Sequence, residues 1–174
     1  MTKHNFKLIV GLGNPGKSYN DTYHNIGVEA IYRIIGNKKL TKPFSIWKKK
    51  LFEYAKTETC VYVVPLTYMN ESGQAICSAI KHFNIKPEDI LIIHDDSDIM
   101  IGSYKLSRDR GSAGHNGIKS IISCLNTKNF WRLRIGIRGA RTTKASAFVL
   151  QKISSQDKET LEKVLLEIQT SYAE

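Results

Sequence analysis

The apolar positions of the chain change period repeatedly, and each change marks an element. Lys7–Gly11 is a short apolar run ending in glycine, the pattern of a buried strand that opens into a loop. Ile26, Ala30, Ile31, Ile34 and Ile35 then recur at helical spacing, with Asp21-Thr22 as capping side chains ahead of them and Gly36 as the stop. Lys38–Lys50 carries no such period and reads as a basic connector. Leu51–Thr57 alternates loosely and Cys60–Leu66 is strongly apolar, so the two predict a hairpin around Glu58-Thr59. Asn70–Phe83 places Ala75, Ile76, Ala79, Ile80 and Phe83 on one helical side, and Pro87 ends anything helical. Ile90–His94 is the most strand-like segment, and Tyr104–Leu106 predicts another strand. Gly114–Leu125 predicts a third helix with Ile118, Ile121, Ile122 and Leu125 inward. Trp131–Ile137 alternates basic and apolar residues, as a half-exposed strand does. Ser154-x-x-Asp157 has the form of a capping box before Leu161, Val164, Leu165 and Ile168.

Strands alternating with helices predict an α/β fold: a single three-layer domain with a central mixed, mostly parallel sheet flanked by helices. A length of 174 residues suits one domain over 1–174, and no repeat or low-complexity linker divides it. With 41% hydrophobic and 24% charged residues the composition is that of a folded chain. The longest apolar stretches, Ile90–Ile93 and Ala145–Leu150, are far too short for a membrane span, and Met1–Lys7 leads into a strand without a signal-peptide core. Cys60, Cys77 and Cys124 are odd in number and share no C-x-x-C spacing. That argues against both a disulfide scaffold and a zinc site, and for a reducing cytoplasm.

Charge changes the picture. The net charge of +10 favours a polyanionic partner, nucleic acid or an anionic membrane. Between Ile101 and Val149, ten basic residues (Lys105, Arg108, Arg110, Lys119, Lys128, Arg132, Arg134, Arg138, Arg141, Lys144) face Asp109 alone, a net of +9. From Leu150 onward, three lysines face Asp157, Glu159, Glu162, Glu167 and Glu174, a net of −2. Charge segregated in this way predicts one basic face and a solvated acidic tail helix. No basic segment is also strongly amphipathic and helical, which disfavours the membrane.

Gly11-Leu12-Gly13-Asn14-Pro15-Gly16 matches the G-x-G-x-x-G dinucleotide fingerprint after a strand. That motif needs a helix to begin at once, so that its N-terminus meets the pyrophosphate. Here Pro15–Asn20 extends the loop, and residues 34 to 40 hold no acidic residue for a ribose hydroxyl. Neither nicotinamide nor flavin binding is expected, nor any other cofactor or metal.

A set of polar residues instead follows the strand ends, where α/β sites form. Asn14 and His24 follow the first strand, Asn70 follows Cys60–Leu66, and Asp95 and Asp96 follow Ile90–His94. His115 and Asn116 open a helix behind Gly111-Ser112-Ala113-Gly114. A histidine paired with a carboxylate can take a proton from water, the carboxylate setting its tautomer and stabilising the imidazolium. Asparagine amides supply neutral donors to a developing oxyanion. No G-x-S-x-G elbow or reactive-cysteine signature is present.

These residues stand in blocks that resemble the bacterial-type peptidyl-tRNA hydrolase family. The blocks are Leu8–Tyr19 (LIVGLGNPGKSY), Thr22–Gly27 (TYHNIG), Pro65–Gly73 (PLTYMNESG), Ile93-His94-Asp95 with Asp98, Gly111–Ser120 (GSAGHNGIKS), Phe130–Ile137 (FWRLRIGI) and Phe148–Ile153 (FVLQKI). They occur in order over nearly the whole chain. The resemblance implies hydrolysis of the ester joining a peptide to the ribose of tRNA. It implies His24 as general base and Asp95 as its orienting partner, with Asn14 hydrogen-bonding near that histidine. Met69, Asn70 and Asn116 would hold the peptide and the reacting ester, Tyr19 would position the tRNA end, and His115 would sit in a lid. Lys105, Arg108 and Arg134 fall in segments resembling the family's tRNA-contacting face. A cytoplasmic monomer needing no protein partner is the family expectation. Three departures stand out: Val64 where the family usually has Lys or Arg, Ser97 and Met100 where it has Leu and Pro, and the charged Arg108-Asp109-Arg110 ahead of the lid. The short C-terminus implies a reduced helix beside the site.

Overall fold

Leu8–Gly11 (β1) is buried at every position because strands flank it on both sides and helices cover both faces. The computed structural model describes residues 5–36, 38–47, 49–139 and 147–172, so Lys48, Arg141, Lys144 and Glu174 lie outside the described residues. After β1 come Ile26–Gly36 (α1), Lys42–Ile46 (β2), Phe52–Lys56 (β3), Val61–Pro65 (β4) and Ser72–Phe83 (α2). Then follow Ile90–Met100 (β5), Tyr104–Arg108 (β6), Asn116–Leu125 (α3), Trp131–Arg138 (β7) and Ser155–Tyr172 (α4).

The sheet order is β2-β3-β4-β1-β5-β7-β6. β4, β1, β5 and β7 form a parallel core, and β2, β3 and β6 join it antiparallel at the edges. Side chains alternate between the faces with the period of the strands. Ile9, Leu91, Ile93, Leu133 and Ile135 point to one face and pack with α1 and α4. Leu8, Val10, Ile90 and Ile92 point to the other and pack with α2 and α3. Each fully buried isoleucine contributes roughly 1.5–3 kcal/mol of transfer free energy. The predicted three layers are therefore present. Among the described residues, no helix is long and apolar enough to cross a membrane.

The G-x-G run has a packing role. A Cβ on Gly11 would stand 2.2 Å from the carbonyl oxygen of Gly27, and one on Gly27 would stand 2.3 Å from that of Ile93. These two glycines let α1 lie directly on β1 and β5, which sets the position of the turn that precedes α1.

Four expectations change. The basic connector contains β2, an edge strand whose residues are exposed or half-buried, so no buried face shows in its pattern. β5 does not end at His94 but runs through Asp95 and Asp96 to Met100, because β7 continues to pair with it (Asp95↔Ile135, Asp96↔Gly136). β7 is not half-exposed, since Arg132 on it is 2% exposed. Thr22 does not cap α1; its hydroxyl donates to the Tyr19 carbonyl at 2.7 Å, and a short 3-10 turn intervenes. The capping pair before α4 is half realised. The Asp157 N–H donates to Ser154 Oγ at 3.2 Å, while the Asp157 carboxylate accepts from the Tyr23 hydroxyl at 2.5 Å.

The cysteines also depart from expectation. Cys77 on α2 and Cys124 on α3 are joined as a disulfide across 47 residues of chain, with Cα atoms 6.5 Å apart. Helix packing brings them together, and neither count nor spacing in the sequence carries that information. Cys60 is free and buried.

Candidate active site

β1 ends opposite Ile93, while β5 continues past it, so Asp95 emerges just beyond the rim of the central strand. A crevice outside the carboxyl ends of parallel strands is where α/β folds place their sites. Across this crevice His24 occupies the 3-10 turn Tyr23–Asn25 that leads into α1. The backbone N–H of His24 donates to the Val149 carbonyl at 2.9 Å, so a distant stretch of chain pins the turn.

His24 Nδ1 donates to Asp95 Oδ1 at 2.8 Å, and the two residues are only 8% and 3% exposed. His115 Nε2 approaches the same carboxylate oxygen at 3.1 Å. Its Nδ1 accepts the Ile118 N–H at 3.3 Å, which makes His115, and not Asn116, the cap of α3. An imidazole that accepts at Nδ1 carries its proton at Nε2. Both histidines therefore donate to Asp95, and both nitrogens of His115 are engaged. His24 retains Nε2 as an open lone pair, which sets the two rings apart chemically. Their centroids are 4.9 Å apart.

Burial acts to raise the Asp95 carboxyl, but His115 and His24 outweigh it and hold the group well below the usual carboxylate range. The two imidazoles thus favour the ionised form of a buried carboxylate. His94, one residue earlier, is 2% exposed and donates from Nδ1 to the Asp95 carbonyl at 2.6 Å. It meets His115 edge-on, with centroids 4.7 Å apart. Burial, helped by His115, pushes the His94 imidazole well below its ordinary value, which keeps it neutral. Ligand atoms of His24, Asp95 and His115 lie within 4.8 Å of one another. They could close on a cation only by giving up the hydrogen bonds just described.

His24, Asp95, His115 and Asn116 line one cleft of about 420 Å³, together with Asp96 and the loop Ser112-Ala113-Gly114. Asn14, Tyr19, Met69 and Asn70 lie outside that lining. Asn14 Oδ1 accepts the Met69 N–H at 2.8 Å, and the Asn25 amide grips the Asn14 backbone at both N–H and carbonyl, each at 2.9 Å. Asn14 therefore couples the loop after β1 to the turn after β4, and no described hydrogen bond joins it to His24. The Met69 side chain is 4% exposed within the core beneath α2 and α3. Asn70 is exposed and shares a neighbouring open groove with Asn116. Tyr19 rests edge-on against Tyr68, with centroids 6.3 Å apart.

Of the expected basic contacts, Lys105 is exposed on β6 in register with Arg134. Arg108 donates from Nε to Asn129 Oδ1 at 2.7 Å and lies over the Trp131 ring. Arg134 donates from Nε to Asp96 Oδ2 at 2.7 Å. A second hollow of about 210 Å³, lined by Arg110, Arg132, Arg134, Asp96 and Asp98, adjoins the cleft. Arg132 donates from Nη1 to the Gly111 carbonyl at 2.8 Å and so tethers the loop ahead of α3. Its buried Nε and Nη2 have no hydrogen-bond partner among the described residues. Desolvation, then Arg134 and Arg110, lower its guanidinium pKa.

Three residues of this network were not singled out by sequence reasoning: Asn25, His94 and Arg132 in its buried role. Asn25 and His94 sit beside His24 and Asp95 within the quoted blocks, and that adjacency was the available signal. Arg132 read as one more member of a basic face, and burial could not be seen from alternation alone.

The buried imidazole–carboxylate pair thus lies at the rim of an α/β sheet, beside a hollow lined by three arginines. Comparison with known proteins is specific. The sequence model of the family described as Peptidyl-tRNA hydrolase matches residues 8–173. The chain is 41% identical over 160 residues to the peptidyl-tRNA hydrolase of Lactobacillus johnsonii, covering 90% of this chain and 85% of that one. It is 42% identical over 163 residues to that of Haemophilus influenzae strain PittGG, covering 91% and 84%. The crystal structure of peptidyl-tRNA hydrolase from Acinetobacter baumannii superposes with a TM-score of 0.87 at 32% identity, covering 99% of this chain and 89% of that one. The chain belongs to the peptidyl-tRNA hydrolase family. It is an enzyme of that class, a hydrolase of translation, and peptidyl-tRNA is the substrate of the family.

Proposed function

We propose that His24 is the general base of peptidyl-tRNA hydrolysis and that Asp95 orients it. The observation that carries this reading is the buried 2.8 Å bond from His24 Nδ1 to Asp95, which commits one ring nitrogen to the carboxylate and leaves the other as the acceptor. His24 Nε2 takes a proton from water, and the resulting hydroxide attacks the ester carbonyl carbon. Asp95 remains ionised and stabilises the imidazolium. The oxyanion of the tetrahedral intermediate meets neutral donors, of which Asn116 lines the same cleft. Collapse breaks the bond to the ribose oxygen, which recovers the proton from His24.

Asn70 and Asn14 act from the adjacent groove and loop. Asn70 holds the peptide end beside Asn116, and Asn14 holds Met69 in place by accepting its N–H. Tyr19, paired with the exposed Tyr68, receives the tRNA terminus, while Lys105, Arg108 and Arg134 meet its phosphates. Action as a monomer is what the resemblance to the family implies.

Replacing His24 by Ala tests the assignment. Turnover of a peptidyl-tRNA mimic is expected to fall by roughly 10²–10⁴, with the Kd for tRNA unchanged within about twofold. Turnover close to wild type in that variant overturns His24 as the base.

A further inference from the structure

The three thiols of the chain are not equivalent. Cys60 is buried, and burial pushes its thiol up to about 12, so it offers no thiolate near neutrality. Cys124 is exposed and Cys77 half-buried, so small reagents reach that pair from solvent. Their Cα separation of 6.5 Å lies within the span that disulfides bridge.

The two helices that carry the pair are in unusually close contact. A Cβ on Gly73 would stand 2.3 Å from the Ser120 carbonyl oxygen and 2.9 Å from Cys124 Cβ. The Gly73 N–H donates to Ser120 Oγ at 3.0 Å, a bond from α2 directly onto α3. The amino ends of these same helices hold the two asparagines of the groove. Asn70 lies in the Met69–Glu71 turn that runs into α2, and Asn116 is the first residue of α3. Asn70, Gln74, Asn116, Lys119 and Cys124 border one open groove of about 470 Å³. At 1.5 Å per residue, Cys124 sits only about 12 Å along α3 from Asn116. A covalent link from the middle of α2 to the last turn of α3 restricts how far the amino ends of the two helices can part.

We propose that Cys77 and Cys124 form a thiol–disulfide exchange site for small disulfides, and that its closure stiffens α2 against α3 and tightens the grip of Asn70 and Asn116 on the substrate. The second half rests on the reading that those asparagines hold the substrate. In the forward direction the Cys124 thiolate attacks one sulfur of a small disulfide, which breaks that S–S bond and expels one thiol. The Cys77 thiolate then attacks Cys124 Sγ in the mixed disulfide and expels the second thiol. Two protein thiols lose two electrons and two protons, and the small disulfide becomes two thiols. A dithiol reverses both steps. In a reducing compartment the pair is open at rest and closes when the disulfide pool rises, as transient cytosolic disulfides do.

The test uses the whole chain equilibrated with glutathione disulfide or with dithiothreitol. Maleimide labelling of the native protein, read by mass, counts open thiols, and peptidyl-tRNA turnover is measured in both states. Two labels are expected after dithiothreitol and none after glutathione disulfide, with Cys60 labelled only on denaturation. Closure is expected to raise Tm by on the order of 10 °C, to lower KM about threefold and to leave kcat unchanged within twofold. Cys77→Ser, outside the groove lining, is expected to show the reduced-state KM under both conditions. Two labels surviving glutathione disulfide, or stable glutathione adducts in place of the internal bond, overturn the site. Closure with an unchanged KM overturns its link to the substrate groove. Closure with no turnover in either state overturns the functional reading instead, and leaves the exchange site standing.

Discussion

Asp95 on β5 and Arg132 on β7 are buried charges on neighbouring strands, yet they are satisfied very differently. Asp95 accepts from two imidazoles, and its anion is stabilised below the usual carboxylate range. Among the described residues Arg132 has one hydrogen bond, to Gly111, and Nε and Nη2 have no partner, while desolvation, Arg134 and Arg110 lower its guanidinium pKa against the opposing pull of Asp96 and Asp109. A buried charge costs several kcal/mol unless partners replace its water. Asp95 has those partners and is preorganised before substrate arrives. Arg132 lacks them among the described residues, and it lines the basic hollow beside the cleft. One charge is stabilised by the groups around it; the other is opposed by Arg134 and Arg110.

Replacing Asp95 by Asn is the harshest way to break this contrast. The amide presents the wrong hydrogen-bonding pattern to His24, and kcat is expected to fall about 10³–10⁴-fold, measured on a peptidyl-tRNA mimic at saturation. Stability should fall as well. Because the folded Asp95 pKa is depressed, its stabilisation is full above the unfolded value near 4 and is lost as pH falls below it. The Asn variant should therefore lose less further stability than wild type on going from pH 5 to pH 3.

Arg132→Met should separate function from stability. Turnover is expected to drop roughly tenfold as the loop ahead of α3 loses its tether, while Tm stays level or rises, since removing a poorly compensated buried charge is often neutral or favourable. A Tm lower by more than about 5 °C would show that Arg132 is satisfied in solution and that the contrast with Asp95 is false.

His94→Gln addresses the neutral neighbour of both charges. A histidine held neutral in the fold but protonated when unfolded costs stability as pH falls below about 6.5, approaching 1.4 kcal/mol per pH unit. Chemical denaturation at pH 7 and pH 5 should show that extra slope in wild type and its loss in the variant. The smallest effect concerns the exposed rim. Lys105→Ala is expected to reduce the slope of log K against log salt for tRNA by about one, with kcat unchanged. An unaltered slope would remove Lys105 from the tRNA surface.

Much of the fold was legible because its signals are local. The continuous apolar runs of β1, β4 and the first half of β5 and the isoleucine stripes of α1 and α3 report burial directly. β2 was not legible, since an exposed lysine-bearing edge strand leaves no apolar alternation. The continuation of β5 through Asp95 and Asp96 was hidden for the opposite reason. Two acidic residues in succession read as a loop, and only pairing with β7 and the side-chain partners of each carboxylate keep them in a strand. His24, Asp95, His115 and Asn116 could be singled out as strand-end polar residues, and the cleft does bring them together. Asn14 and Met69 could be named too, but their mutual bond and the burial of Met69 could not.

The sequence by itself determined the α/β class, the three layers, the polar blocks and the excess of positive charge, because periodicity, residue type and charge belong to neighbouring residues. The tertiary structure decided which histidine keeps a free nitrogen, which arginine is buried and which two cysteines meet. Each of these depends on groups brought together from 20 to 71 positions apart in the chain or on the solvent excluded between them. Proton position, desolvation and sulfur contact are properties of that assembled neighbourhood, and no stretch of sequence holds them alone.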